Sequence, residues 1–190
     1  MGITLNMIGD SITNGTGASS VEKCYALKTY TGLKSLGRKV FMVKTGLSGL
    51  RSDEIILGYK GNGGKCDPEL VTIMVGANDI LQSKTVADFK TNLKLLIDDV
   101  RNTAVTNNPV IVLCTILWQN NAKDVNSFNI AVKEVATEKS VLVCETYPAF
   151  NTASSLIDEV HPNDSGHQAV ANILVSFLNN LDVWKSQLKR

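Results

Sequence analysis

Five short apolar segments recur along the 190-residue chain. They lie at residues 3–8, 39–43, 70–75, 110–117 and 141–145, and four of them are rich in Val and Ile. The segments are apolar nearly throughout, whereas a strand with one solvated face alternates apolar and polar residues. The pattern therefore predicts five buried β-strands in a parallel sheet that is covered on both faces.

Between these segments, apolar residues recur at steps of three or four, the period of an amphipathic helix. The clearest pattern follows a Thr85-x-x-Asp88 capping box and consists of Val86, Phe89, Leu93, Leu96, Val100 and Ala104. Another follows "HPNDSG", where Asn163 or Asp164 is the predicted N-cap, and consists of Val170, Ile173, Leu174, Phe177, Leu178 and Leu181.

Weaker periodic patterns predict helices at about 20–36, 52–58 and 125–138. The glycines of "YKGNGGKC" at 59–66 predict a flexible surface loop. Strands that alternate with helices imply right-handed crossovers. We therefore expect a single domain over residues 1–190, an α/β fold in which a three-layer α/β/α sandwich is built around a five-stranded parallel sheet.

Charge and hydropathy narrow the class of partner. The chain carries 19 Lys and Arg against 18 Asp and Glu, a formal charge of +1, so no basic surplus favours nucleic acid or an anionic membrane surface. No apolar run is long enough for a membrane span. The start of the chain lacks the pattern of a signal peptide, so we expect a cytoplasmic protein or a secreted one whose signal has been removed. The expected partner is a small molecule or a neutral polymer.

The four cysteines form no CxxC pair. Cys114 and Cys144 lie in apolar runs and are expected to be buried thiols, while a bridge between Cys24 and Cys66 stays open. No cluster of His, Cys and carboxylate residues has metal-ligand spacing, so neither a metal nor a cofactor is expected.

The candidate chemistry lies at the carboxyl ends of the predicted strands, where open parallel sheets bind ligands. Ser11 follows the first strand after a turn that Gly9 permits, near the start of a helix whose N–H groups are free. A serine hydroxyl is a weak nucleophile and needs a general base. His161 stands three residues after Asp158, which can hold its Nδ1 proton, whereas His167 lies inside a helical pattern. The spacing predicts a triad of Ser11, His161 and Asp158.

Three groups at the same sheet edge are candidate oxyanion donors: the Ser11 N–H, a glycine N–H within "LSGL" at 47–50, and the Asn78 amide. The neighbouring Asp10 and Asp79 fit a structural role through local hydrogen bonds better. Each residue alone is more typical of a turn or cap, and their meeting at one sheet edge favours an acyl-transfer site.

Four segments together resemble the sequence blocks of the SGNH hydrolases, also called GDSL esterases or lipases. They are "GDSIT" (9–13), "GLSG" (46–49), "VTIMVGAND" (71–79) and "DEVHPN" (158–163). The resemblance implies a flavodoxin-like fold and metal-free hydrolysis of esters or thioesters by Ser11, with His161 and Asp158 as triad partners. It also implies that Gly49 and Asn78 donate to the oxyanion.

One position departs from the family pattern. The second block often begins with Asn, but Lys44 stands there in this chain. The departure leaves the Gly49 donor in place. What it changes is the side chain available to support the loop that carries Gly49.

Two alternatives come from other functional classes. The segment "SITNGTG" at 11–17 resembles the phosphate-binding loop of flavodoxins, which would make the protein an electron carrier that binds FMN. That alternative leaves "GAND" and "DEVHPN" unexplained. A degenerate hydrolase that only binds its ligand is the other alternative.

The sequence says least about the substrate. Trp118, Thr13 and Asn14 are candidate substrate-binding residues, and no apolar insertion offers a lid or an acyl tunnel. Further hydrogen-bonding side chains lie beside the motifs: Thr16, Ser48, Arg51, Gln119 and Asn120. We therefore expect a short acyl group, chiefly acetyl, on a small-molecule or carbohydrate ester, with a lysophospholipase or thioesterase as the alternative within the family.

Overall fold

The computed structural model describes residues 2–62, 66–104, 108–117, 124–149 and 153–187. These residues form a parallel sheet with the strand order β2-β1-β3-β4-β5. The strands are β1 (Ile3–Gly9), β2 (Val40–Gly46), β3 (Leu70–Met74), β4 (Val110–Cys114) and β5 (Leu142–Cys144). The predicted five-stranded parallel sheet is confirmed.

Seven α-helices lie among the described residues. They are α1 (Ser11–Asn14), α2 (Tyr25–Ser35), α3 (Ser52–Asn62), α4 (Ala77–Leu81), α5 (Val86–Thr103), α6 (Val125–Lys139) and α7 (Asp164–Asn179). Helices α2 and α7 pack together, and α3 and α6 pack against α5. These two groups are the outer layers of the α/β/α sandwich, and they explain why β3 is buried along its whole length.

Both predicted helix caps are present. The Asp88 N–H donates to Thr85 Oγ1 over 3.0 Å at the start of α5. Of the two candidates at α7, Asn163 is the N-cap, and its Oδ1 accepts from Ser165 N–H and Gly166 N–H. Satisfying these first N–H groups fixes where each helix begins.

The helix predicted at 20–36 begins five residues later. A 3₁₀ turn at Val21–Lys23 comes first, and Cys24 then adopts an extended conformation as the N-cap of α2, accepting from Leu27 N–H through its Sγ. Cys24 is buried, as are Cys114 and Cys144, and the structure has no disulfide between Cys24 and Cys66.

The loop predicted at 59–66 is wrong over its first half, because α3 continues to Asn62. Tyr59 is fully buried and its Oη accepts from Thr103 Oγ1 of α5 over 3.2 Å, so packing between the helices outweighs the glycine signal. Residues 63–65 lie outside the described residues.

The fourth strand ends at Cys114, three residues before the end of its apolar run, although Thr115 N–H still donates to the Cys144 carbonyl of β5. Ile116 N–H donates to Asn129 Oδ1 over 2.7 Å, and Asn129 Nδ2 donates to the Ile116 carbonyl over 3.0 Å. The amide of an α6 side chain thus satisfies the backbone groups that a strand would pair in the ladder.

The register of the sheet sets the position of the candidate site. Gly9 at the end of β1 pairs with Gly46 of β2 on one side and with Met74 of β3 on the other. The loops that carry Ser11, Gly49 and Asn78 therefore leave the same edge of three adjacent strands. Among the described helices, none combines the length and apolar character needed to cross a bilayer.

Candidate active site

Ser11 is the first residue of α1, immediately beyond β1. The chain reaches this position through Gly9, where an added Cβ would lie 1.9 Å from Thr13 Oγ1 and 2.6 Å from the Met74 carbonyl oxygen. Asp10 caps the helix by accepting from Ile12 N–H over 3.0 Å. Because the first N–H groups of a helix have no partner within it, the Ser11 N–H needs none from α1 and has no partner among the residues that the structure describes.

Asp158 and His161 lie in a closed turn before α7. Leu156 and Pro162 form an antiparallel bridge, and Ile157 N–H donates to the His161 carbonyl over 2.9 Å. Inside this turn, Asp158 Oδ1 accepts from the backbone N–H groups of Val160 and His161 at 2.8 and 2.7 Å. These backbone hydrogen bonds alone fix the position of the Asp158 carboxylate, without any contribution from the His161 ring.

The Asp158 carboxylate holds the His161 ring, and the ring faces Ser11. Asp158 Oδ2 lies 2.7 Å from His161 Nδ1, and His161 Nε2 lies 2.8 Å from Ser11 Oγ. Partial burial raises the pKa of Asp158, but hydrogen bonds from His161 and from Val160 N–H outweigh it and hold the pKa below its ordinary value. An ionised carboxylate only accepts, so Nδ1 carries the proton and Nε2 is free to take one from Ser11.

The loop after β2 is tied to α1, the helix that begins at Ser11. Lys44 Nζ donates to the Asn14 carbonyl over 2.7 Å, and Asn14 Nδ2 donates to Ser48 Oγ over 3.1 Å. Gly46 lets the two elements approach, since a Cβ there would lie 2.5 Å from Asn14 N. Lys44, at the position that departs from the family pattern, thus binds α1 directly.

The loop after β3 is tied in turn to the loop after β2. Asn78 Nδ2 donates to the Leu50 carbonyl over 3.0 Å through one of its two protons, which leaves the other available. Gly49 adopts a φ of +80°, a left-handed conformation that glycine accepts without strain. The three predicted donors therefore lie in loops that are hydrogen-bonded to one another.

Asp79 is structural, although its partner is not local. Its two oxygens accept from Ser52 N–H over 2.9 Å and from Ser52 Oγ over 2.6 Å, so it caps the start of α3 across a separation of 27 residues. Burial raises the pKa of Asp79, and these hydrogen bonds oppose the rise. Among the described residues, no group of three or more His, Cys, Asp or Glu side chains is arranged to hold a metal ion.

The predicted substrate-binding residues have different positions. Thr13 is fully buried, and its Oγ1 lies 2.6 Å from Tyr25 Oη. It therefore joins α1 to α2 in the interior and is not accessible to a substrate. Asn14 is exposed at the end of α1. Trp118, like Gln119 and Asn120, lies outside the described residues.

Two features of the site were missed by sequence reasoning. One is the Lys44 contact to α1, and the other is the buried His167, which stacks on Tyr25 with ring centroids 6.1 Å apart. The sequence signal for a buried His167 was its spacing, because it stands three residues before Val170 on the apolar face of α7.

Asp10 is a buried carboxyl directly beside Ser11, the predicted nucleophile. Its burial raises the pKa from the ordinary value of 3.8 to about 6, although the Ile12 N–H and the nearby His161 oppose the rise. The folded state therefore favours the protonated form. The stability that this preference contributes is complete below pH 3.8 and is lost as the pH rises through about 6.

Asp10→Asn should remove this pH dependence, because Asn does not titrate and caps a helix as well as Asp does. The free energy of unfolding of the variant minus that of the wild type should rise by about 3 kcal/mol between pH 3.5 and pH 8, since each tenfold change in proton affinity is worth about 1.4 kcal/mol. Urea denaturation of both proteins across this range measures the difference. A difference that stays flat or falls would contradict the assignment.

The chain is similar to one known protein family and to several solved structures. Residues 7–169 match the sequence model of the GDSL-like Lipase/Acylhydrolase family. No curated protein sequence gave a significant match. The match spans all four sequence blocks and favours the hydrolase over the flavodoxin alternative.

Three solved structures share the fold at low sequence identity. Axe2, an acetylxylan esterase from Geobacillus stearothermophilus, superposes with a TM-score of 0.79 at 21% identity, covering 96% of each chain. A lipolytic protein of the G-D-S-L family from Veillonella parvula gives 0.80 at 19%, covering 94% of this chain and 99% of that one. LAE5, an alpha/beta hydrolase enzyme from the metagenome of Lake Arreo, Spain, gives 0.77 at 22%, covering 92% and 94%.

The family match covers most of the chain, and these structures share its overall fold. The chain therefore belongs to the GDSL-like lipase/acylhydrolase family, the SGNH hydrolases, and is a carboxylic ester hydrolase.

Proposed function

We propose that the protein is a serine esterase that removes short acyl groups, chiefly acetyl, from a carbohydrate or a comparably polar alcohol. The observation that carries the proposal is the hydrogen-bonded path from Ser11 Oγ through His161 to Asp158, with lengths of 2.8 and 2.7 Å. Axe2 offers a parallel, since its serine-to-alanine and histidine-to-alanine variants are described as catalytic mutants.

Acylation begins when Ser11 Oγ attacks the ester carbonyl carbon while His161 Nε2 takes the hydroxyl proton. The Asp158 carboxylate keeps the proton on Nδ1 and stabilises the imidazolium that forms. The tetrahedral intermediate collapses as His161 passes the proton to the leaving oxygen and the carbon–oxygen bond breaks. The alcohol departs, and the acyl group stays on Ser11.

Deacylation repeats these steps with water in place of the serine hydroxyl. His161 Nε2 takes a proton from the water, whose oxygen attacks the acyl carbon. The proton then returns to Ser11 Oγ as its bond to the acyl carbon breaks. The acid leaves, and the site returns to its first state.

Stabilisation of the oxyanion is assigned to three donors. The Ser11 N–H at the start of α1, the Gly49 N–H and the remaining Asn78 amide proton belong to loops that are tied together by the Asn14–Ser48 and Asn78–Leu50 hydrogen bonds. Donors that are held before the reaction need little reorganisation when charge develops, which is why they stabilise the transition state more than the substrate.

Asn78→Ala should lower kcat roughly 100- to 1000-fold with little change in KM, the range for removal of one oxyanion donor. Asn78→Asp is the variant of matched size: it has no amide protons and, like Asn78→Ala, loses the hydrogen bond to the Leu50 carbonyl. Steady-state kinetics on p-nitrophenyl acetate should show a large kcat loss in both. A normal kcat with a raised KM would make Asn78 a substrate-binding residue instead.

The surroundings of Ser11 favour a polar substrate. Asn14, Thr16 and Ser48 are exposed hydrogen-bonding residues beside the nucleophile helix. A long acyl chain gains about 0.8 kcal/mol for each methylene that it buries, and that gain requires an apolar lining. A hydroxyl-rich alcohol with a short acyl group fits polar surroundings of this kind better. Axe2, described as an acetylxylan esterase, offers a parallel at the level of the fold.

One observation supports the alternative of a lysophospholipase or thioesterase. Ile157 directly precedes Asp158 and is 58% exposed, so it offers apolar surface next to the triad. An acyl chain that lay on this side chain would gain from its length. The two functions therefore differ in how activity depends on chain length.

The value of kcat/KM should be highest for p-nitrophenyl acetate and should fall through butyrate, octanoate and palmitate. Ile157→Ser is the matched variant, and under the proposed function it should leave acetate hydrolysis nearly unchanged. A rise toward octanoate in the wild type that Ile157→Ser abolishes would establish the alternative. Acetylated sugars then test the alcohol part of the substrate.

A further inference from the structure

His167 bonds through both ring nitrogens to the segment that follows the nucleophile helix. It is fully buried in the first turn of α7. Its Nε2 lies 3.1 Å from the Thr16 carbonyl oxygen, and its Nδ1 accepts from Tyr25 N–H over 3.2 Å. A ring that donates at one nitrogen and accepts at the other is a neutral imidazole with its proton on Nε2. Burial lowers the pKa of His167, which agrees with a neutral ring.

The Thr16 contact continues to the nucleophile itself. Thr16 N–H donates to the Ser11 carbonyl over 2.9 Å, and the Thr16 carbonyl accepts from His167. A hydrogen-bonded path therefore runs from the backbone of Ser11 through one residue to α7. Gly15 N–H also donates to the Ser11 carbonyl, so this turn packs closely around the end of α1.

The proposed base, His161, lies beside the start of the same helix. His161 lies just before α7, separated from its first residue only by Pro162 and the N-cap Asn163. The turn that follows α1 packs directly against the segment between His161 and α7, since a Cβ on Gly17 would be 2.0 Å from the Pro162 carbonyl oxygen.

A second tie joins the two segments near the start of α7. Asp164 Oδ1 accepts from Ser19 N–H over 2.8 Å, and Asp164 Oδ2 lies 2.7 Å from Lys23 Nζ. The start of α7 is thus the common support of the nucleophile segment and of the base.

We propose that His167 is a positioning residue that fixes Ser11 Oγ relative to His161 Nε2 through the Thr16 carbonyl. The inference rests on the proposed function, because it assigns His167 to the alignment of that reaction. Reacting groups in a serine hydrolase must be aligned closely, and a shift of about 1 Å costs roughly 100-fold in rate. His167 is buried behind this turn and does not touch the substrate.

Two substitutions separate positioning from simple packing. In His167→Gln the amide nitrogen takes the place of Nε2 and can still donate to the Thr16 carbonyl. In His167→Asn the shorter amide takes the place of Nδ1, where it can accept from Tyr25 N–H but cannot reach Thr16. Each variant keeps one hydrogen bond of the ring and buries one amide, so thermal unfolding should show similar losses of stability in both.

We expect the kcat for p-nitrophenyl acetate and the rate of fluorophosphonate labelling to fall roughly 10- to 100-fold in His167→Asn and to stay within about threefold in His167→Gln, with KM unchanged in both. Equal rates in the two variants, or losses that follow their melting temperatures, would overturn the positioning role while the wild type remains an active esterase. A wild type that neither hydrolyses the ester nor reacts with the probe would overturn the proposed function and the positioning role with it.

Discussion

Ser11→Ala should lower kcat by roughly a million-fold, the scale of loss when the nucleophile of a serine triad is removed. The Ser11 hydroxyl makes its hydrogen bond to His161, while the turn around it is held by Asp10 and by backbone groups. Removing one oxygen atom therefore leaves the supports of α1 in place, and the melting temperature should stay close to that of the wild type. The activity that remains reflects binding and the oxyanion donors alone.

A fluorophosphonate probe should label the wild type at Ser11 and leave Ser11→Ala unlabelled, as intact mass and peptide mapping would show. Ser35→Ala is the matched control, because Ser35 is an exposed serine of α2 whose hydroxyl donates to the Thr31 carbonyl of the same helix. The control should keep full activity and full labelling. Labelling of Ser11→Ala at another serine would contradict the assignment of the nucleophile.

The strands were predictable because each buried strand is a short, continuous apolar segment that can be recognised without reference to the rest of the chain. In β3 every residue is buried, so apolar and polar residues do not alternate along the segment. Helix α5 was equally clear, since its cap at Thr85 and its apolar stripe are both local features. These predictions depend only on residues a few positions apart.

The misplaced boundaries depend on partners far along the chain. The end of β4 is decided by Asn129 of α6, and the length of α3 by the packing of Tyr59 against Thr103. Asn129 lies 13 residues from Ile116, and Thr103 lies 44 residues from Tyr59, so neither partner falls within a window of about ten residues. Local propensity and periodicity therefore predict where these elements lie, but they do not predict the residue at which each element ends.

The same division holds at the candidate site. The Asp158–His161 pair is local, three residues apart, and its spacing already suggested the contact. The approach of Ser11 to His161 spans 150 residues, and it was inferred from the rule that parallel strands bring their carboxyl ends to one edge and from the resemblance to the SGNH hydrolases. The Lys44 contact to Asn14 follows no such rule, because it depends on how closely Gly46 lets two elements approach.

His161→Ala should be nearly as damaging as Ser11→Ala, because in the proposed mechanism the two side chains act in the same step. Without an imidazole, Ser11 keeps its proton at neutral pH and attacks slowly, and no group protonates the leaving oxygen. The His161 backbone groups that close the turn, the N–H to Asp158 and the carbonyl to Ile157, are kept in the variant. The fold should therefore survive, and single-turnover kinetics would report the chemical step.

The double variant of Ser11 and His161 tests whether the two residues act as a unit. In a triad, single losses do not multiply, so the double variant should be no slower than Ser11→Ala by more than a fewfold. Free imidazole should restore part of the activity of His161→Ala, since it can enter the space left by the ring, and should not restore Ser11→Ala. If losses multiplied in the double variant, or if His167→Ala proved more damaging than His161→Ala, the base would lie elsewhere than at His161.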